Sequence, residues 1–337
     1  MHSTHSDGTG TVAEIGRAAE HAGVDVVLLT DHDSLGAKRR GEEGWHGRAL
    51  VLVGQEVTPR DRNHYLAFGL DEVIRHRGLT PAQIVEAVRE RGGFGFAAHP
   101  FSEGSKRFRR LGTSMRWEDL DAVNGIEVWS FVSDNGQRVA SVREALSFMT
   151  RPERYVTVAP EHNLAEWDRL GASRRVVGIG GVDAHQFGRR IAGRVIRVMG
   201  YGRSFRQLHT RVLVHEPPTG ELEHDRDQVY GALRAGRCYI AAPQVAPPAG
   251  FRFFAERGAG ERLEMGAEAP AGGWRLHAVL PRPAHVRLLR EGAEVAAANA
   301  PALVHEDEGP GVYRVEARLE SHGAERTWIL SNPVYLR

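Results

Sequence analysis

The sequence predicts an α/β domain over residues 1–242 and a small antiparallel β-sandwich over 249–337. Two observations carry this. Short apolar, β-branched runs alternate with helix signals as far as about residue 242, which is the rhythm of β-then-α units around a mainly parallel sheet. After Ala241, Ala242, Pro243 and the pair Pro247-Pro248 the composition shifts to short alternating runs with Gly, Pro and Ala turns and no helix between them. Periodicity leaves open whether the first sheet closes as a barrel or stays open and doubly wound.

The bulk properties set bounds. A chain of 337 residues fits one large domain, or one large and one small. Hydrophobic residues at 41% and charged residues at 26% suffice for an ordinary core and surface. A net charge of +1 does not suggest a nucleic-acid footprint. The single Cys238 excludes a disulfide framework within the chain and fits a reducing compartment, so a cytoplasmic location is expected. No apolar run approaches the ~18 residues that suggest a membrane span, and the start lacks the pattern of a signal peptide. The expected partner is a small-molecule substrate, with neither nucleic acid nor membrane; the oligomeric state is left open.

The elements follow in order. His2, His5, Ser6, Asp7 and Gly8 form a polar cluster. Thr11 and Glu14 make a capping box, Val12, Ile15, Ala19 and Ala22 an apolar helical stripe, and Gly23 the stop. Val24 to Leu29 reads as a buried parallel strand ending at Thr30, Asp31 and His32. Residues 34–48 read as a polar loop. Ala49 to Val53 is the next strand, running into Glu56, and His64 enters another. Thr80 and Gln83 cap a helix with Pro81 at its first position, which stops at Gly92 and Gly93. Phe94 to Ala98 ends at His99, Gly125 to Ser130 carries Glu127, and Arg175 to Val182 ends at Asp183 and His185. Helical stretches are expected at about 138–148 and 161–169, with one more helix and strand at about 203–215 and a helix from Asp225 to Ala235. The sandwich runs from Phe251 to a last strand over Ser331 to Tyr335, with a packing or interface role.

The chemistry lies at the strand ends, where α/β folds build their sites. His2, Asp7, His32, Glu56, His64, His99, Asp183 and His185 recur there. One such histidine would be unremarkable. Burying so many polar groups without a compensating partner would be prohibitive. Imidazole and carboxylate donors without thiolate suit Zn, Mn or Fe.

Ser6-Asp7-Gly8 and Thr30-Asp31-His32, in the order of the donors that follow them, resemble the PHP (polymerase and histidinol phosphatase) superfamily of metal-dependent hydrolases. The resemblance covers about the first 190 residues. It implies a distorted seven-stranded β/α barrel and two or three divalent metal ions. His2, Glu56 and Asp183 would hold the first, Glu56, His64 and His99 the second, and Asp7, His32 and His185 the third. Two cations sharing Glu56 would share a water and lower its pKa toward neutrality. Glu56, Asp183 and His185 are the candidate catalytic residues. The family opens with His-x-His, of which only His2 is present, so the first metal has lost one ligand unless the Met1 amine helps. An upstream extension of the natural chain, or an alternative start, is expected to supply the missing histidine.

Other residues have assigned readings. Asp31 is expected to orient His32 or a strand backbone. His5 is either a partner of a ligand or plain loop. Glu127 is read as a surface or hydrogen-bonded core residue. His162 is a candidate general acid. Lys106, Arg107, Arg109 and Arg110 are read as a solvated loop face, with a phosphate clamp as the alternative. The leading function is phosphoester hydrolysis. The runner-up is hydrolysis of a carbamate or carboxylic ester, from a softer likeness to the PHP branch with aryl-carbamate hydrolases. In that case an apolar pocket lined by residues such as Trp129 and Phe131 is expected. The third reading is a non-catalytic metal-binding module.

Overall fold

The structure, a computed structural model, describes residues 1–60, 62–105, 116–186, 188–191, 194–197, 199–258, 260–307 and 309–337; over 188–197 it describes backbone only. Lys106, Arg107, Arg109 and Arg110 lie outside the described residues. Two compact units emerge. The first comprises Met1–Tyr155, Gly181–Gln207 and Pro218–Asp227, and the second Val156–Gly180, Leu208–Pro217 and Gln228–Arg337. The chain therefore passes between the units several times, rather than dividing once near residue 242.

In the first unit, α1 (Val12–Ala22) begins with the expected capping box: the Thr11 hydroxyl accepts from the Glu14 N–H while the Glu14 carboxylate accepts from the Thr11 N–H. Gly23 ends it at φ 71°, a left-handed conformation that costs glycine little. β1 (Val26–His32) follows. Residues read as a loop contain α2 (Gly36–Arg39) and β2 (Gly44–His46). β3 (Ala49–Val57) is buried at every position. β4 (Tyr65–Phe68), α3 (Pro81–Glu90), β5 (Phe94–Ala97) and β6 (Gly125–Ser130) complete the series, and α3 carries the Thr80–Gln83 capping box.

The sheet is mixed, and this corrects the parallel arrangement read from the β-then-α rhythm. β1 pairs with β3, and β5 with β6, in parallel. β3 pairs with β4, and β4 with β5, antiparallel. The physical reason is short for β3 and β4: residues 58–64 between them are too few for the crossover that parallel neighbours require. β2 and β4 occupy the same side of β3, β2 against residues 49–51 and β4 against 55–57.

The second unit holds the helix Glu161–Ser173 and an antiparallel sheet. The expected sandwich is one continuous hydrogen-bonded sheet. Its long strand Arg275–Arg290 pairs with Arg252–Arg257 through residues 275–279 and with Gly311–Ser321 through residues 285–290, with a register break between Val279 and Ala284. The core includes Trp274, Trp328, Phe251, Phe253 and Tyr313, all buried. Two assignments change. His209–Val212 and Cys238–Ala241, read as the end of the β-then-α series, pair antiparallel with each other, and Cys238–Ala241 joins Ala324–Ser331 in this sheet. The last strand is Val334–Leu336, because the preceding strand ends at Ser331 and Asn332 turns to bond the Gly178 and Cys238 carbonyls.

Candidate metal centre

Pairing brings the strand-end donors together. The parallel ladder sets Val26 opposite Leu50, and six residues later His32 falls opposite Glu56. The antiparallel β3–β4 pair places Val57 opposite Tyr65, so His64 enters β4 at the end where β3 leaves, and its Nδ1 reaches Glu56 Oε1. β4 and β5 carry His99 to the same end, where the Ala98 N–H donates to the His64 carbonyl. At the chain start the His2 N–H donates to the Ala184 carbonyl and the Thr30 N–H to the Met1 carbonyl, which ties His2 to β1 and to the segment carrying Asp183 and His185.

All eight strand-end residues converge, in three groups: His2, Asp7, His32 and His185; Glu56, His64 and His99; and His2, Glu56 and Asp183. Glu56 is shared by two of these groups. Its Oε1 lies 2.8 Å from His64 Nδ1 and 3.6 Å from His99 Nε2, and its Oε2 lies 3.1 Å from His2 Nε2. Asp183 Oδ1 is 3.2 Å from His2 Nε2. Asp7 Oδ1 is 3.3 Å from His185 Nε2 and 3.7 Å from His32 Nε2. The His2 ring stacks on those of His32 and His185, at centroid distances of 4.1 and 4.2 Å, and the latter two lie 6.1 Å apart. Glu56, His64 and His99 are buried, whereas Asp7 is exposed and His32 and His185 are half-buried. The cluster therefore has a closed floor and an open edge.

The donor set fits divalent cations. His185 Nδ1 lies 3.0 Å from the Asp183 carbonyl oxygen, which can only accept, so Nδ1 carries a proton. The Nε2 lone pair of a neutral His185 then faces the Asp7 carboxylate, an arrangement that requires a proton or a metal ion between them. Among the described residues His2 Nδ1 and His99 Nδ1, both buried, have no hydrogen-bond partner, and an orphaned buried nitrogen is costly. Protein charge alone responds in the same sense. Burial would lower the His2 and His99 imidazoles, but the Asp183 and Glu56 carboxylates hold His2 up at about 9, and Glu56 does the same for His99. Burial would raise the Glu56 carboxyl, yet His2, His64 and His99 hold it well below the usual range. Asp7 falls to about 2 as His185 outweighs its burial, and Asp183 is depressed by His185 and His2. His32 is lowered, mainly by burial.

The surrounding residues define the cradle. Asp31 does not orient His32. Its carboxylate accepts from the Ser3 N–H and hydroxyl and from the Ser6 hydroxyl, so it holds the loop carrying His2 and Asp7. His5 turns away to Glu42, at 2.5 Å. The Met1 amine donates to the Thr30 hydroxyl at 2.9 Å. Gly8 has no room for a side chain, since a Cβ there would lie 2.2 Å from the His2 carbonyl oxygen. Asp33, Asn63, His99, Asp183 and Gln186 all adopt positive φ between 29° and 57°, and such strain at non-glycine residues gathers where geometry is over-determined.

Glu127 takes the hydrogen-bonded core role that was one of its sequence readings, and not the surface one. It is buried, its Oε2 accepts from the His99 N–H at 2.8 Å, and burial pushes it up to about 7. The only sequence signal was a carboxylate within an apolar strand. Trp129 and Phe131 are core residues, with Phe131 packed on Phe148 at 5.5 Å, so the structure does not present them as the lining of an open pocket. His162 lies on the helix Glu161–Ser173 of the second unit, which contains none of the eight.

Comparisons with known proteins follow. No protein-family model matches the chain. An uncharacterized protein of Methanocaldococcus jannaschii is 31% identical over 122 residues, 36% of this chain and 66% of that protein, just under two thirds of its length. Solved structures similar to the chain include the following three. A two-domain protein of Bacteroides vulgatus containing a predicted PHP-like metal-dependent phosphoesterase is 14% identical, covering 99% of this chain and 93% of that one at a TM-score of 0.46. A Bifidobacterium adolescentis structure named as a metal-dependent phosphoesterase is 18% identical, covering 55% and 85% at 0.34. An amidohydrolase of Chromobacterium violaceum with bound sulfate is 18% identical, covering 55% and 85% at 0.31.

Proposed function

We propose that this chain is a metal-dependent hydrolase of the PHP superfamily, acting on a small phosphoester. The observation that supports the reading is the convergence of eight nitrogen and oxygen donors on one closed-floored, open-edged cluster centred on Glu56. When bound, divalent cations supply Lewis-acid chemistry, a more acidic water and a polarised substrate oxygen. Glu56 with His2 and Asp183 would hold one of them, and Glu56 with His64 and His99 another. Asp7, His32 and His185 would hold a third on the solvent side, where substrate can enter. We assign the catalytic roles to Glu56, Asp183 and His185. His2 Nε2 stands between two of them, 3.1 Å from Glu56 Oε2 and 3.2 Å from Asp183 Oδ1, and Asp183 Oδ1 lies 3.8 Å from His185 Nδ1. The buried side of the cluster excludes water from Glu56, which keeps its charge effective. A cysteine nucleophile does not compete: Cys238 is buried and its thiol is pushed up to about 12.

The test is a paired assay on protein loaded in turn with Mn, Zn and Fe, using a chromogenic phosphoester and an aryl carbamate or carboxylic ester. Phosphoester turnover that disappears in Glu56→Ala is the expected result. Turnover of the ester or carbamate alone would transfer the same centre to that substrate class. Metal uptake without turnover of either would make the unit a metal-binding module.

A further inference from the structure

We propose that Thr58 is a positioning residue that sets the tautomer of His32, leaving His32 Nε2 as a standing lone-pair donor toward Asp7. Glu56 and Thr58 are two apart where β3 leaves the sheet, so extended geometry directs both side chains to one face. The Thr58 hydroxyl lies 2.8 Å from the Glu56 carbonyl oxygen and 2.9 Å from His32 Nδ1. A hydroxyl has one proton and a carbonyl oxygen has none. At 2.8 Å the hydroxyl–carbonyl contact is favourable only if the Thr58 proton lies in it. The same oxygen is then left to accept from His32, so Nδ1 carries the imidazole proton and Nε2 is bare.

The hydroxyl is itself held. The Thr58 N–H donates to Asp33 Oδ1 at 3.1 Å, and that carboxylate also faces His76 Nε2 at 3.1 Å. The Asp33 N–H donates to the Glu56 carbonyl, which thus receives two donors, the second being Thr58. His185 gets its tautomer from a backbone carbonyl, which no substitution removes, whereas His32 gets its own from a side chain. With both rings neutral, the pair presents two bare Nε2 atoms to Asp7 Oδ1, at 3.3 and 3.7 Å, an arrangement that a cation between them would satisfy. That His32 serves a cation rests on the proposed metal-dependent reading; its tautomer does not.

The experiment has two readouts. In chelator-treated full-length protein with ¹⁵N-labelled histidine, long-range ¹H–¹⁵N spectra report which ring nitrogen of His32 is protonated, with His32→Asn for assignment. Wild type is expected to show a protonated Nδ1 and a bare Nε2. Thr58→Val should shift His32 toward the other tautomer, and Thr58→Ser should restore it. Thr58→Ala removes the same hydroxyl with less bulk, should valine not fold. In competition with a metal chelator, loss of the hydroxyl should weaken the weakest-bound Mn by about 10- to 100-fold, the usual effect of losing a group that orients a ligand. Serine should recover most of it. A protonated Nε2 in wild type, or an unchanged His32 spectrum in both hydroxyl-less variants, overturns the proposal. Wild type that takes up no divalent metal overturns the metal-dependent reading instead, and the spectra then decide the role of Thr58 alone.

Discussion

His32 and Glu56 face each other across a parallel ladder, and His32 Nδ1 comes within 3.8 Å of Glu56 Oε2. Neither residue is near the other in sequence. The ladder between β1 and β3 keeps register over seven residues, so its far end delivers an imidazole from one strand and a carboxylate from the next to the same edge. Everything else in the centre gathers around that carboxylate.

On the proposed metal-dependent reading Glu56 would be shared by two cations, so its loss should be felt by both at once. Glu56→Gln keeps the shape and removes the charge. Turnover should fall by at least about 100-fold, as several kcal/mol of metal-borne stabilisation are lost. Bound metal measured by elemental analysis should fall with it, while circular dichroism stays native.

Metal that binds only the folded chain should stabilise it. At a free concentration about 100 times its Kd, a cation adds about 2.7 kcal/mol. A thermal melt should therefore move up by several degrees on adding Mn or Zn and return on chelation. Glu56→Gln should lose most of that shift.

Gly181 makes room for Glu127. A Cβ at Gly181 would lie 2.3 Å from Glu127 Oε1, and Glu127 is the acceptor for the His99 N–H. Gly181→Ala should cost about 1–3 kcal/mol in chemical denaturation, the usual range for overpacking. Gly231 is the contrast. It lies inside the helix Leu222–Ala235 with nothing within 4 Å of a built Cβ, so Gly231→Ala should stabilise by about 0.5–1 kcal/mol.

The second unit should lose stability in acid through Glu316. Arg314 reaches it at 2.7 Å and Arg287 at 3.2 Å, and Arg314 also grips Asp168 through two bonds of 2.6 and 2.7 Å. Burial would raise the Glu316 carboxyl, but Arg314 and its neighbours hold it below the ordinary value. A carboxylate depressed in the folded state stabilises fully above its unfolded pKa of about 4.3, and that contribution is lost as pH falls through the folded value. Denaturation followed from pH 7 downward should show this slope. Glu316→Gln should flatten it and cost about 1–3 kcal/mol at neutral pH, because Arg314 loses one charged acceptor and keeps Asp168.

Much of the centre was legible because its signals are local. A histidine or carboxylate after an apolar β-branched run is visible in sequence, and so are the Thr11–Glu14 and Thr80–Gln83 capping boxes, which the structure reproduces. Partners that depend on a distant segment were not legible. Asp31 was expected to serve His32 or a strand backbone; it accepts from the Ser3 backbone N–H and from the Ser3 and Ser6 hydroxyls, a choice made when the chain start folds beside β1. Glu127 looked like an ordinary strand residue until Gly181 and His99 were placed against it.

By itself the sequence determined which residues stand at the strand ends, because the period-two pattern of a strand and its apolar length are properties of neighbouring residues. Only the tertiary structure decided how those ends combine. Hydrogen bonding between strands far apart in the chain made β3, β4 and β5 antiparallel, sent His209–Val212 and Cys238–Ala241 into the second sheet, and put Glu56 where three imidazoles reach it. Register is a relation between two segments, and no single segment carries it.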